Sequence, residues 1–166
     1  EVESFSHESQ RGEKVSLENL KGTVWLATFI FTNCETVCPP MTMNMTKVQD
    51  ELIKSGVEDY KIVAFSVDPK VDTPEIMAEY LAKFNPADES KWELLTGYDP
   101  EYMEQFARDS FKTLVKIDPN SDQVIHGTSY FLVDQNGIAV KSYDGYQDVP
   151  KEEIAADMKA LIEQGK

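Results

Sequence analysis

Val24-Trp25-Leu26-Ala27-Thr28-Phe29-Ile30-Phe31 runs directly into Thr32-Asn33-Cys34-Glu35-Thr36-Val37-Cys38-Pro39-Pro40. The first part is apolar, β-branched and aromatic over the length of one strand, with no polar alternation to mark a solvent face. Such a strand is buried on both sides, as in a parallel or mixed central sheet. The second part holds the only two cysteines of the chain, just past that strand, and ends in a proline pair suited to open a helix. A strand, a loop bearing paired thiols and a helix therefore follow one another, and the rest of the chain is organised around them.

Residues 61–67 (KIVAFSV) repeat the buried-strand pattern. Residues 129–133 and 138–143 read as two more strands, joined through Asn136-Gly137, a hairpin turn signal because both residues tolerate positive φ. A weaker strand is expected at residues 92–95, and an N-terminal β-hairpin over residues 4–17, turning near Gln10-Arg11-Gly12. Helices alternate with the strands. Residues 40–54 carry Met41, Met45, Val48 and Leu52 at helical spacing, with Gly56 as a stop. Residues 74–84 follow Asp72-Thr73-Pro74-Glu75, which offers a cap, a first-turn proline and an acidic residue near the positive end of the dipole. Residues 100–110 and 150–164 complete the set, each opening on proline. This order predicts an α/β, thioredoxin-like three-layer fold with a central mixed β-sheet, an N-terminal β-hairpin and an inserted strand-helix segment. A chain of 166 residues, with no repeat or linker, is expected to form a single domain over 1–166.

The charge is -14, with 30 acidic against 16 basic residues, which argues against nucleic acid, where Lys and Arg must neutralise phosphate. No stretch approaches the roughly 20 apolar residues of a membrane-spanning helix. Two cysteines are too few for a disulfide framework, so both point to chemistry.

In open α/β sheets, sites gather beyond the carboxyl ends of the strands, where Cys34 falls. Cys38 precedes proline and is therefore expected in the loop, with the helix starting near Pro39 or Pro40. The helix dipole then favours thiolates at both sulfurs. Thioredoxin-type redox enzymes use Cys-x-x-Cys, whereas the pair here is one residue wider, open both to a disulfide and to convergence on one soft ion. His126 is expected on a loop just ahead of the strand at residues 129–133, where a thioredoxin-like fold normally keeps a cis-proline; no proline lies between Pro119 and Pro150. His7 reads as an ordinary solvent-facing residue. Two thiolates and an imidazole suit Cu(I) and Cu(II), and no fourth strong ligand marks a closed zinc site. Helical spacing separates Met43 from Met41 and Met45, so the three sulfurs cannot converge. Glu35 is expected to be solvated. A peroxiredoxin-like reading lacks the proline before the cysteine.

The cysteine segment, then Ser66-Val67-Asp68-Pro69-Lys70-Val71-Asp72-Thr73-Pro74, then His126 ahead of the last hairpin, resemble the Sco family over most of the chain. The resemblance implies an extracytoplasmic protein tethered to the outer face of the cell membrane, its leader or anchor lying ahead of Glu1. It implies a copper metallochaperone that assembles the binuclear copper centre of cytochrome c oxidase, with Cys34, Cys38 and His126 as ligands. Its partner would be the copper-bearing subunit, met by a monomer. The alternative it implies is a thiol-disulfide oxidoreductase that keeps that subunit's cysteines reduced, using Cys34 and Cys38 as the redox pair and served by a thiol reductant. Many members carry Asp directly before the histidine, where this chain has Ile125, with Asp122 the nearest upstream carboxylate. Asp68 and Asp72 are accounted for by turn formation and helix capping.

Overall fold

A computed structural model describes residues 5–10, 12–30, 38–57, 60–66, 72–84, 91–98, 100–111, 115–117, 124–126, 129–144 and 149–164, with backbone alone at 38–41, 100, 115–117, 124–126, 129, 144 and 164. Phe31 to Val37, and with them Cys34 and Glu35, lie outside the described residues, as do Asp68 and Asp122.

Nine strands and five helices are described: β1 (Ser6–Glu8), β2 (Lys14–Ser16), α1 (Leu17–Leu20), β3 (Val24–Ile30), α2 (Cys38–Lys54), β4 (Tyr60–Ser66), α3 (Pro74–Lys83), β5 (Trp92–Leu95), α4 (Pro100–Phe111), β6 (Val115–Ile117), β7 (Val124–His126), β8 (Ser129–Val133), β9 (Ala139–Asp144) and α5 (Lys151–Gln164). The central sheet runs β5-β4-β3-β8-β9. Its β3–β4 and β4–β5 pairs are parallel, and its β3–β8 and β8–β9 pairs antiparallel. The mixed sheet expected from the sequence is thus present, with β3 at its centre and every residue of β3 buried.

Alternation along β3 and β4 divides the core in two. Val24, Leu26 and Ile30, with Ile62 and Ala64, pack against Met45, Val48 and Leu52 of α2, Met77 and Leu81 of α3, and Ile154 and Met158 of α5. Trp25, Ala27 and Phe29, with Val63 and Phe65, pack against Met103, Phe106 and Phe111 of α4 and against Phe5, Val15 and Leu17 of the N-terminal segment. These are the two outer layers of a three-layer fold. One buried polar group inside it is matched on both sides: Gln49 accepts from the Trp92 indole at 2.9 Å and donates to the Tyr60 hydroxyl at 3.1 Å.

The local signals act as read. Thr73 caps α3, its hydroxyl accepting from the Ile76 amide at 3.3 Å, with Pro74 in the first turn. The Asp134 carboxylate accepts from the amides of Asn136 at 2.9 Å and Ile138 at 3.0 Å, and Gly137 turns the hairpin with φ 78°. Two readings need correction. Helix α2 already includes Cys38, because the first turn demands no intrahelical N–H and Pro39 and Pro40 fit there without cost. His126 lies in strand β7, not on a loop, since residues 115–117 and 124–126 pair as an antiparallel ribbon with Val115 opposite His126. The N-terminal hairpin is followed by the short helix α1, where Ser16 and Asn19 form a capping box.

Candidate metal centre

The parallel register sets Ile30 beside Ser66, so β3 and β4 end together at one edge of the sheet. Cys34 follows Ile30 by four residues, and Cys38 opens α2. On the other side of β3, Trp25 faces Val133 and Ala27 faces Phe131, so the amino end of β8 lies toward the carboxyl end of β3. His126 precedes β8 by three residues. Topology therefore starts α2, at Cys38, after the carboxyl end of β3, and starts β8, the strand that follows His126, toward that same end. No acidic residue occupies the first turn of α2, so no carboxylate there offsets the dipole that favours thiolate. One turn beyond Cys38, Thr42 is buried and shares a 2.9 Å hydrogen bond with the Tyr80 hydroxyl, which fixes the start of α2 to α3.

Thiolate and imidazole are the donors that copper takes, so the set fits that ion. Among the described residues, which do not include Cys34, no group of three His, Cys, Asp or Glu is arranged to hold a metal. The methionines do not compete: Met45 is in the core while Met43 is 42% exposed.

Beside Ser66 the edge is built from groups that composition gave no reason to single out. Asp72 is fully buried. Its carboxylate accepts from the Ser66 hydroxyl at 2.7 Å, and its carbonyl accepts from the Thr96 hydroxyl. Capping of α3 falls to Thr73, so Asp72 is not the cap expected of it. The Tyr98 hydroxyl donates to the carbonyls of Ser66 at 2.6 Å and Leu95 at 3.0 Å. Burial first, and then the Asp72 charge, push its ionisation well above the ordinary phenol range, so it remains a donor.

The Tyr98 ring also meets His7 in a T-shaped contact, with centroids 4.5 Å apart. His7 is also stacked on Phe5 at 5.5 Å and lies edge-on to Tyr102 at 5.2 Å. The solvent-facing histidine expected from the sequence is instead held in an aromatic cage, with Nε2 buried and unpartnered. Desolvation lowers its pKa from 6.5 to about 4. The aromatic partners Tyr98 and Tyr102 are some ninety residues away in sequence, which hid the cage from a local reading.

A family model described as SCO1/SenC matches residues 1–163. A SCO1/SenC family lipoprotein from Bacillus anthracis str. Ames superposes with a TM-score of 0.92 at 45% identity, covering 97% of this chain and 94% of that one. BsSco, a Sco family cytochrome c oxidase assembly protein with a disulfide switch, gives 0.89 at 46% identity, over 98% and 93% of the two chains. Copper-bound ScoI from Bradyrhizobium japonicum gives 0.79 at 28% identity, over 96% and 98%. With a thioredoxin-like central sheet and a family match along nearly its whole length, this chain belongs to the SCO1/SenC family.

Proposed function

We propose that this protein binds copper through the thiolates of Cys34 and Cys38 and the imidazole of His126, and hands it to the copper-bearing subunit of cytochrome c oxidase. The observation that carries the reading is the register around β3, in which the strand ends beside Ser66 ahead of α2 and β8, the strand after His126, begins toward that same end. Copper in a relative of the same fold supports it, as does the oxidase-assembly role of BsSco. The lipoprotein relative supports an anchor on the outer face of the cell membrane, from which a single-domain monomer would reach its acceptor. Among the described residues no helix is long and apolar enough to cross a membrane. Titration of the reduced protein with Cu(II) tests the ligand set. A thiolate-to-copper charge-transfer band should form at one equivalent, and His126→Ala should change both its position and the affinity. An unchanged band and affinity in that variant would remove His126 from the ligand set.

A second reading, thiol-disulfide exchange, is favoured by the disulfide switch of BsSco. The Cys34 thiolate would attack the disulfide of the oxidase subunit and release one target thiolate. Cys38 would then displace the other, leaving Cys34–Cys38 as a disulfide for a thiol reductant to reopen. Stopped-flow exchange with an oxidised copper-site peptide tests it, and a rate indifferent to loss of either cysteine would end it.

A further inference from the structure

Asp72 lies where an ionisable group is costly. Removing a carboxylate from water is unfavourable unless hydrogen bonds replace its hydration. A cap or an exposed turn would not need it buried, and the cap at this helix is the neighbouring Thr73. What Asp72 does is join three pieces of the chain. Its carboxylate holds the Ser66 hydroxyl at 2.7 Å, at the last paired residue of β4. Its carbonyl holds the hydroxyl of Thr96, just past β5. Tyr98, from the segment after β5, closes the ring by donating to the Ser66 carbonyl at 2.6 Å. The last paired residue of β4 and the residue ahead of the α3 cap are thereby tied to each other, and Ser66 is the register partner of Ile30, which Cys34 follows by four residues in sequence.

We propose that Asp72 is a positioning residue for the thiolate–copper site, acting through Ser66 on the paired ends of β4 and β3, after which the Cys34–Cys38 segment follows in sequence. The inference rests on the copper reading given above and adds to it a residue that touches no metal. Because the link is an acceptor oxygen facing a serine hydroxyl, an amide at position 72 can preserve it and an alanine cannot.

The test uses the reduced protein loaded with one equivalent of Cu(II), read by its charge-transfer band and by the rate of copper loss to excess chelator. Loss of groups that support metal ligands typically weakens binding by about 10- to 100-fold. Asp72→Ala should shift the band and speed copper loss by about tenfold or more, and Ser66→Ala should change both readings in the same direction. The double variant should be no worse than the stronger single one, because both remove one link. Asp72→Asn should restore the wild-type band. Thr73→Ala serves as the control for stability, since it loosens the same helix start by loss of its cap while leaving band and rate unchanged. Should Asp72→Ala fail to fold, Ser66→Ala decides. Wild-type bands and rates in the Asp72→Ala and Ser66→Ala variants would overturn the inference, as would equal acceleration by Thr73→Ala. Absence of any band in the wild-type protein would instead overturn the copper reading itself.

Discussion

Replacing His7 by phenylalanine should stabilise the protein, and by more at pH 5 than at pH 8. The ring lies between Phe5, Tyr98 and Tyr102, with Nε2 buried and no partner to accept or donate. A phenyl ring fills that cage without a polar atom to leave unsatisfied, which is worth about 1 kcal/mol at the lower end of such penalties. The pH dependence has a separate origin. Burial lowers the pKa of His7 to about 4 from an unfolded value of 6.5, so between those values the unfolded chain binds the proton that the folded one refuses. Stability from the neutral ring is therefore complete above about pH 6.5 and is lost progressively as the pH falls toward 4. Linkage between those two pKa values gives a loss of about 2 kcal/mol from pH 8 to pH 5, and partial exposure of the ring reduces it to ~1 kcal/mol.

Phenylalanine has no such loss, and the many carboxylates that titrate on acidification are common to both proteins and cancel in the difference. Tyr98 and Tyr102, which face the ring, carry no charge change in this range; the Tyr98 hydroxyl is pushed further from it. Urea unfolding of wild type and His7→Phe at pH 8, 6.5 and 5 measures the gap. It should widen by ~1 kcal/mol across the series. A gap constant to within about 0.3 kcal/mol would mean the ring is solvated and would refute the cage.

One amide side chain adds two buried hydrogen bonds between the N-terminal hairpin and the sheet. Gln10 donates to the Trp92 carbonyl and accepts from the Leu94 amide, both at 2.8 Å and buried, on the free side of edge strand β5. Gln10→Ala strands both backbone groups and should cost about 2–4 kcal/mol in urea unfolding, with earlier proteolysis ahead of residue 17. At the opposite edge, the Tyr143 hydroxyl donates to the Asp157 carboxylate at 2.7 Å, and Lys141 contacts the same oxygen at 2.9 Å. Burial would raise the pKa of Asp157, but hydrogen bonds from Lys141 and Tyr143 outweigh it and hold it below the ordinary value. Tyr143→Phe should cost about 1–2 kcal/mol at neutral pH. That cost should shrink as the pH falls below the ordinary carboxylate range, because protonating Asp157 removes the charge that strengthens the bond.

What the sequence disclosed and what it hid divide by the range of the interactions involved. Strands β3 and β4 were readable because burial on both faces leaves a run of apolar residues with no second explanation. The Thr73 cap, the Asn136-Gly137 turn and the paired cysteines were readable because each effect is completed within a few residues. Strands β6 and β7 were not, since three residues such as Val-Ile-His carry no period to detect, and their pairing is set by the partner strand. Gln10 and His7 looked like ordinary polar residues of an exposed segment, and only β5 and Tyr98 make them otherwise. The site shows both sides of this division. Its proposed donors could be named from residue type and spacing, whereas the direction in which β8, the strand after His126, runs against β3 is a non-local fact. The same holds for Asp72, whose place in the family motif marked it while a local cap seemed to explain it. Once Thr73 is seen to cap the helix, capping no longer accounts for Asp72, whose carboxylate instead holds Ser66, the register partner of the last residue of β3.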